Sequence, residues 1–196
     1  MKAYPTELYE QAKPLPDIDQ SALNATGLEI VEGLDFPLAS QLVERSKESH
    51  VAKYCLNESD RFGSTDRVRQ WLKKGRLALP LVTREDREMV GFGWMGPGLP
   101  GPDAPKIPGA EITFAIRLYS KATGRRLSSP YTSAILKAHD AMFGNGGVWL
   151  ESWGDNTNAL RTYGREGFIR VAEIEADRRG EKVTRIYMTL GNLASA

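Results

Sequence analysis

Apolar residues recur along this chain in two rhythms, and the points where one gives way to the other predict its elements. Residues 28–33 (LEIVEG) read as a first strand. Asp35 and Pro37 then open a helix that turns Leu38, Leu42 and Val43 inward. Residues 64–75 (STDRVRQWLKKG) predict a second helix, capped by Ser or Thr, with Asp66 in its first turn. Its inner face is Val68, Trp71 and Leu72, and Lys73, Lys74 and Gly75 close it. Two hydrophobic strands follow at 77–83 and 88–94, and a third at 110–118 (AEITFAIRL) is rich in β-branched and aromatic side chains. A helix starting at Arg125 or Ser129 runs to Phe143, carrying Ile135, Leu136, Ala138 and Met142. Residues 148–153 form a strand, a helix led by Asn156 follows, and 169–176 pairs with 183–190 around Arg178-Arg179-Gly180. The order β-α-α-β-β-β-α-β-α-β-β, with strands crowded in the middle, predicts an α+β fold on a mixed sheet rather than a doubly wound one.

Composition changes this picture little. The 196 residues suffice for one well-buried core and fall short of two ordinary domains. Residues 28–190 are therefore expected to form a single domain between an N-terminal extension (1–27) and a short tail (191–196). A net charge of +1, with both signs interspersed, offers no electrostatic footprint for nucleic acid or a membrane surface. Cys55 is the sole cysteine, which excludes an internal disulfide and leans towards a reducing, cytoplasmic setting. No run approaches a signal-peptide core or a membrane span. His50 and His139 stand far apart without cysteine or carboxylate at ligand spacing, so no metal site is expected. Trp71, Trp94 and Trp149 read as core; Trp153, at a strand end, could also line a pocket.

Two stretches look like ligand loops. Gly91-Phe92-Gly93-Trp94-Met95-Gly96 fits the dinucleotide pattern G-x-G-x-x-G, but its glycines lie inside a strand and Pro97 and Pro100 stand where a helix must begin, so it is rejected. Residues 120–126 (SKATGRR) sit between a strand and a helix and bring Lys121, Arg125 and Arg126 together, which suits an anionic ligand as well as a solvated turn. The Pro/Gly-rich segment 95–109 is too long for a usual hairpin and reads as a solvated insertion or a rigid flap.

Residues 155–168 (DNTNALRTYGREGF) carry the most information. An Asn or Asp at the start offers a side-chain acceptor to the amides of a first helical turn. Ala159 and Tyr163, four apart, share one helix face, and Gly167 suits a left-handed helix stop. The resulting pattern N-x-x-A-x-x-x-Y-x-x-x-G-F closely resembles the last motif of the GNAT acetyltransferases, which move an acetyl group from acetyl-CoA to an amine. The order of elements over residues 28–190 resembles the GNAT fold as well, with its largely antiparallel sheet.

The resemblance implies the following site. Tyr163 faces the thioester sulfur and acts as the acid for the departing thiolate. Ala115, Ile116 and Leu118 on the fourth strand, together with Asn156 and Tyr163, contact the cofactor. Laid over the family's Q/R-x-x-G-x-G/A pyrophosphate loop, Lys121 takes the first position and Gly124 the glycine, with Arg125 beside it. Arg126 falls where the family prefers Gly or Ala, a departure. A general base would be Glu111 on the fourth strand or Glu151 on the fifth. The implied activity is acetyl transfer from acetyl-CoA to a primary amine, a small molecule or a peptide N-terminus, by direct attack in a ternary complex, without a metal. The alternative is a GNAT-like module that binds CoA or another ligand without turnover, and a homodimer stays open. The acceptor is expected opposite the cofactor, between the 50–64 connection, with Glu58 and Asp60 for an ammonium, and the 178–180 turn.

Overall fold

Strand periodicity sets the architecture: in the run LALPLVT, alternate residues face opposite sides of a sheet and nearly all are buried, so helices must cover both faces. The computed structural model describes residues 7–15, 18–98, 104–107, 111–144 and 147–191. In chain order they form β1 (Lys13–Pro14), α1 (Ser21–Asn24), β2 (Leu28–Glu32), α2 (Phe36–Arg45), α3 (Ser49–Tyr54), α4 (Glu58–Phe62) and α5 (Thr65–Leu72). Then come β3 (Leu77–Thr83), β4 (Met89–Pro97), β5 (Ile112–Leu118), a 3-10 turn (Ser120–Ala122) and α6 (Ser128–Phe143). β6 (Val148–Trp153), α7 (Thr157–Arg165), β7 (Ile169–Arg178) and β8 (Glu181–Leu190) close the fold. Because of β1, the strands expected as fourth and fifth are β5 and β6.

The fold is α+β. Eight strands make one sheet in the order β1-β2-β3-β4-β5-β6-β8-β7, antiparallel throughout except for β5 against β6. Leu79, Leu81 and Phe114 face one core with Tyr131 and Ile135 of α6 and Leu160 and Tyr163 of α7. Ala78, Val82 and Phe92 face the other, under Leu38 and Leu42 of α2 and Val68 and Trp71 of α5. Phe62, Trp71, Phe92 and Trp94 interlock edge-on there at 5.1–5.9 Å between ring centres. The six glycine-motif residues from Gly91 lie within β4, all paired with β5 and, as far as Met95, with β3, as their strand context requires.

Three local differences from expectation have plain causes. The 50–64 connection contains α3 and α4; at six and five residues, neither with a side-chain cap, they are too short to print a helical period. In the expected N-terminal extension, β1 pairs with β2, and Ala12, Leu15 and Leu23 are buried in the cores. Asn156 does hold the cap position of α7, but its side chain bonds no helix amide; its backbone, at ψ 58°, is not the extended one from which a cap reaches back.

The other end of α7 follows the motif closely. The Phe168 amide donates to the Tyr163 carbonyl at 3.0 Å and the Gly167 amide to that of Gly164 at 3.3 Å, with Gly167 at φ 91°. This is a Schellman stop, and the Tyr163–Phe168 ring contact at 5.8 Å is the hydrophobic pair that accompanies it. The β7–β8 turn puts Arg179 at φ 56° and Gly180 at φ 87°, the twisted geometry that two-residue hairpins need.

Two glycine-to-alanine changes should have opposite signs. Gly164 lies in the last turn of α7 with open space around a Cβ and a helical backbone, so Gly164→Ala should stabilise by about 0.5–1 kcal/mol. A Cβ at Gly93 would collide with Ile135 Cδ1 beneath α6, so Gly93→Ala should destabilise by about 1–3 kcal/mol. Urea unfolding of both variants checks the pair.

Candidate active site

Parallel strands stay together only while their ladders run, and here the ladder is short. β5 and β6 pair at Ile112–Val148 and Thr113–Trp149 and then part. β6 continues against β8 to Trp153 and β5 against β4 to Leu118, leaving residues 114–118 with no strand on their inner edge. A cavity of about 810 Å³ opens at the gap. Its walls come from β5 and β6, from residues 54–58 and Arg61 in the α3–α4 region, and from β7 and β8.

Tyr163 reaches this cavity from α7, in the layer on the other face of the sheet, and is 6% exposed. Burial pushes its phenol pKa up, opposed by the Arg117 charge and by the nearby Ile116 backbone. The phenol therefore stays protonated at neutral pH. The Leu118 carbonyl, on the same strand, meets Nε2 of His50 at 3.0 Å.

The cavity is also charged. Arg117 of β5 donates through Nη2 to Glu58 Oε1 of α4, and both side chains are buried, at 6% and 4% exposure. Arg117 Nε and Nη1, Glu58 Oε2 and the Trp94 indole N–H have no hydrogen-bond partner among the described residues. Cys55 is beside the pair, half-buried, with its thiol pKa raised mainly by burial. Arg61 and Arg76 stack over Trp94 at 4.9–5.9 Å, and Arg185 stacks over Trp153 at 4.5 Å. The Trp153 indole N–H donates to the Tyr54 carbonyl at 3.1 Å, pinning the α3 end over the cavity.

Ahead of α6 the backbone makes two left-handed steps, Gly124 at φ 78° and Arg126 at φ 57°. α6 starts without a side-chain cap, so the amides of its first turn face outward for an anion or water. That turn is tied to α7: Ser129 Oγ bonds Glu166, and Thr162 Oγ1 bonds Ser128 Oγ at 3.2 Å.

No family model matches the sequence, and no curated protein matches it. Solved structures do. A GNAT-family acetyltransferase from Bacillus anthracis is 14% identical at a TM-score of 0.62, over 83% of this chain and 94% of its own. Spermidine N-acetyltransferase from Vibrio cholerae, solved with CoA and spermine, is 13% identical at 0.63, over 84% and 96%. The ribosomal-protein-S5-alanine acetyltransferase of Vibrio fischeri is 13% identical at 0.63, over 84% and 94%. The chain has the GNAT acetyltransferase fold.

Within this GNAT fold the expected residues separate into two groups. Tyr163, Asn156, Ala115 and Ile116 line the cavity together, and Leu118 continues the free edge of β5. Gly124, Arg125 and Arg126 are exposed in the turn before α6. Lys121 turns away from that turn to Glu88, at 2.6 Å. Glu111 lies outside β5, exposed and away from the cavity; Glu151 lines it, 3.6 Å from Arg185. Glu58 is not a bare anion, since Arg117 neutralises it, and Asp60 is exposed beside Arg67 at 3.9 Å. Arg61, Arg76, Arg117 and Arg185, which line the cavity, gave no signal in the sequence, because they lie on α4, the α5–β3 connection, β5 and β8. Among the described residues no group of three or more metal-binding side chains converges, and no helix is long and apolar enough to cross a membrane.

Breaking the buried pair should cost far more than removing it whole. Glu58→Ala strands the Arg117 charge and should destabilise by about 3–5 kcal/mol, whereas Glu58→Leu with Arg117→Met should lose clearly less than the two single changes added together. Urea unfolding of the double-mutant cycle measures the coupling, and strict additivity would contradict the pairing.

Proposed function

We propose that this protein is an acyl-CoA-dependent N-acetyltransferase that passes an acetyl group from acetyl-CoA directly to a primary amine. The observation that carries the reading is the Tyr163 phenol, held protonated against the Ile116 backbone in the gap between β5 and β6, where a cavity meets it from the opposite face. The GNAT fold of enzymes solved with CoA supports it.

In this reading the cofactor arm lies along the free edge of β5 at Ala115, Ile116 and Leu118, taking the hydrogen bonds a strand would otherwise make. Its pyrophosphate rests on the turn at Gly124 and the open amides of α6, with Arg125 and Arg126 supplying charge and Lys121 shared with Glu88. Asn156 borders the arm from the start of α7. On the far side the acceptor amine attacks the thioester carbonyl, and the carbon–sulfur bond breaks as the amide forms. Tyr163 donates its proton to the departing sulfur and regains one from solvent. Glu151 is the carboxylate placed to take the amine proton, directly or through water, in preference to Glu111.

Two experiments test this. Free CoA and desulfo-CoA should both raise the melting temperature, since a ligand bound only by the native state stabilises it. Gly124→Val should remove that shift; a Cβ there meets no heavy atom within 4 Å, but a β-branched residue at φ 78° strains the turn, so circular dichroism of the variant must show the native fold alongside the lost shift. The absence of any shift at millimolar CoA would refute the cofactor site. Tyr163→Phe should lower kcat by ~10²–10⁴-fold with CoA affinity unchanged. An unchanged kcat where chemistry limits the rate would make Tyr163 structural, and the protein a binding module if no amine is turned over.

A further inference from the structure

The cavity on the acceptor side is polar in an asymmetric way. At its β5 wall stand two guanidinium groups, Arg61 and Arg117, and one carboxylate, Glu58, which pairs with Arg117. Among the described residues no acid lies within ion-pair distance of Arg61. Arg117 is 8% exposed, yet its Nε and Nη1 find no acceptor among the described residues; the Trp94 indole N–H, 5% exposed and in the same wall, finds none there either. Buried donors normally have partners, and leaving a charged one without any is costly. Burial and the neighbouring Arg117 charge lower the Arg61 pKa, as expected where positive charge exceeds what the protein balances. On the opposite wall stands Glu151 of β6.

From this arrangement we infer that the acceptor is a zwitterion of the amino-acid kind, whose carboxylate binds at Arg61, with Arg117 and Trp94 behind it, and whose amine lies towards Glu151 and the gap. The inference rests on the acetyltransferase reading and gives it a substrate class. A planar carboxylate suits the fork of a guanidinium, and the stacking of Arg61 on Trp94 at 5.9 Å sets that fork in place before the ligand arrives. The cavity's other acids, Glu151 on β6 and Glu175 and Asp177 on β7, suit an ammonium, but a polyamine would leave the Arg61 and Arg117 guanidinium groups with no anion beyond Glu58.

The test pairs each carboxylate with its uncharged twin. Glycine, leucine, phenylalanine and glutamate, together with their α-amides and with spermidine, are titrated calorimetrically into the protein without acetyl-CoA, then assayed as acceptors. At least one amino acid should bind at least about tenfold more tightly than its amide and be acetylated with a correspondingly higher kcat/KM. Arg61→Gln should erase that preference while the melting shift by CoA persists, which shows that the variant is folded and its cofactor site intact. Arg61→Lys should restore part of it. Amides or spermidine binding as well as the acids, no amino acid binding at all, or a preference that survives Arg61→Gln would each overturn the inference. Amino acids that bind through Arg61 while nothing is acetylated and CoA gives no shift would uphold it and refute the acetyltransferase reading instead.

Discussion

Everything distinctive in this fold depends on one break in backbone pairing: β5 and β6 run side by side for two residues and then separate. A sheet interior that loses its ladder leaves amides and carbonyls that must find other partners. Here side chains from both faces meet part of that edge and leave the rest of it open. The Ile116 backbone meets the Tyr163 phenol from the α7 layer, and the Leu118 carbonyl meets His50 from the α3 layer. The gap is thus an interruption of the sheet, lined by hydrogen-bonding groups and approached by side chains from both faces.

Charge is concentrated on one of those faces. Burying Glu58 against Arg117 gains little net stability over an apolar pair, since desolvation offsets the attraction. Its effect is to hold a guanidinium rigidly in the wall of the gap, with α4 fixed to β5. The surrounding aromatic rings, Phe62 under Arg117 and Trp94 under Arg61 and Arg76, keep these long side chains from collapsing into one another. Balanced overall charge conceals this, because the exposed acids elsewhere cancel the arginines in the sum.

Much of the fold was legible in the sequence because the signals were local. β3 and β6 were bounded to the residue by their apolar runs, and Asp35 caps α2 through the Leu38 amide as its position implied. Short elements escaped: β1, α3 and α4 take their stability from tertiary contacts, not from propensity or period. The site was legible only where its residues sit in one segment. Tyr163, Gly167 and Phe168 form a single helix stop, so one motif showed them. The separation of β5 from β6 left no such trace, since both strands read as ordinary apolar runs, and the arginines that converge there are scattered over more than a hundred residues.

Two residues that follow the motif tyrosine, Gly164 and Glu166, are accounted for by the packing. Glu166 accepts from Ser129 and Thr162 bonds Ser128, so the last turns of α7 are fastened to the first turn of α6. The uncapped amides of α6 and the phenol of Tyr163 therefore belong to one rigid unit, although about thirty residues of sequence separate them. Gly164 weakens α7 on its exposed side, but the Schellman stop and these cross-helix bonds act on the buried side, where the tyrosine lies. Rigidity at the reacting group is thus supplied by contacts between helices and not by helix propensity, which is why a poor helix former is tolerated one residue after it.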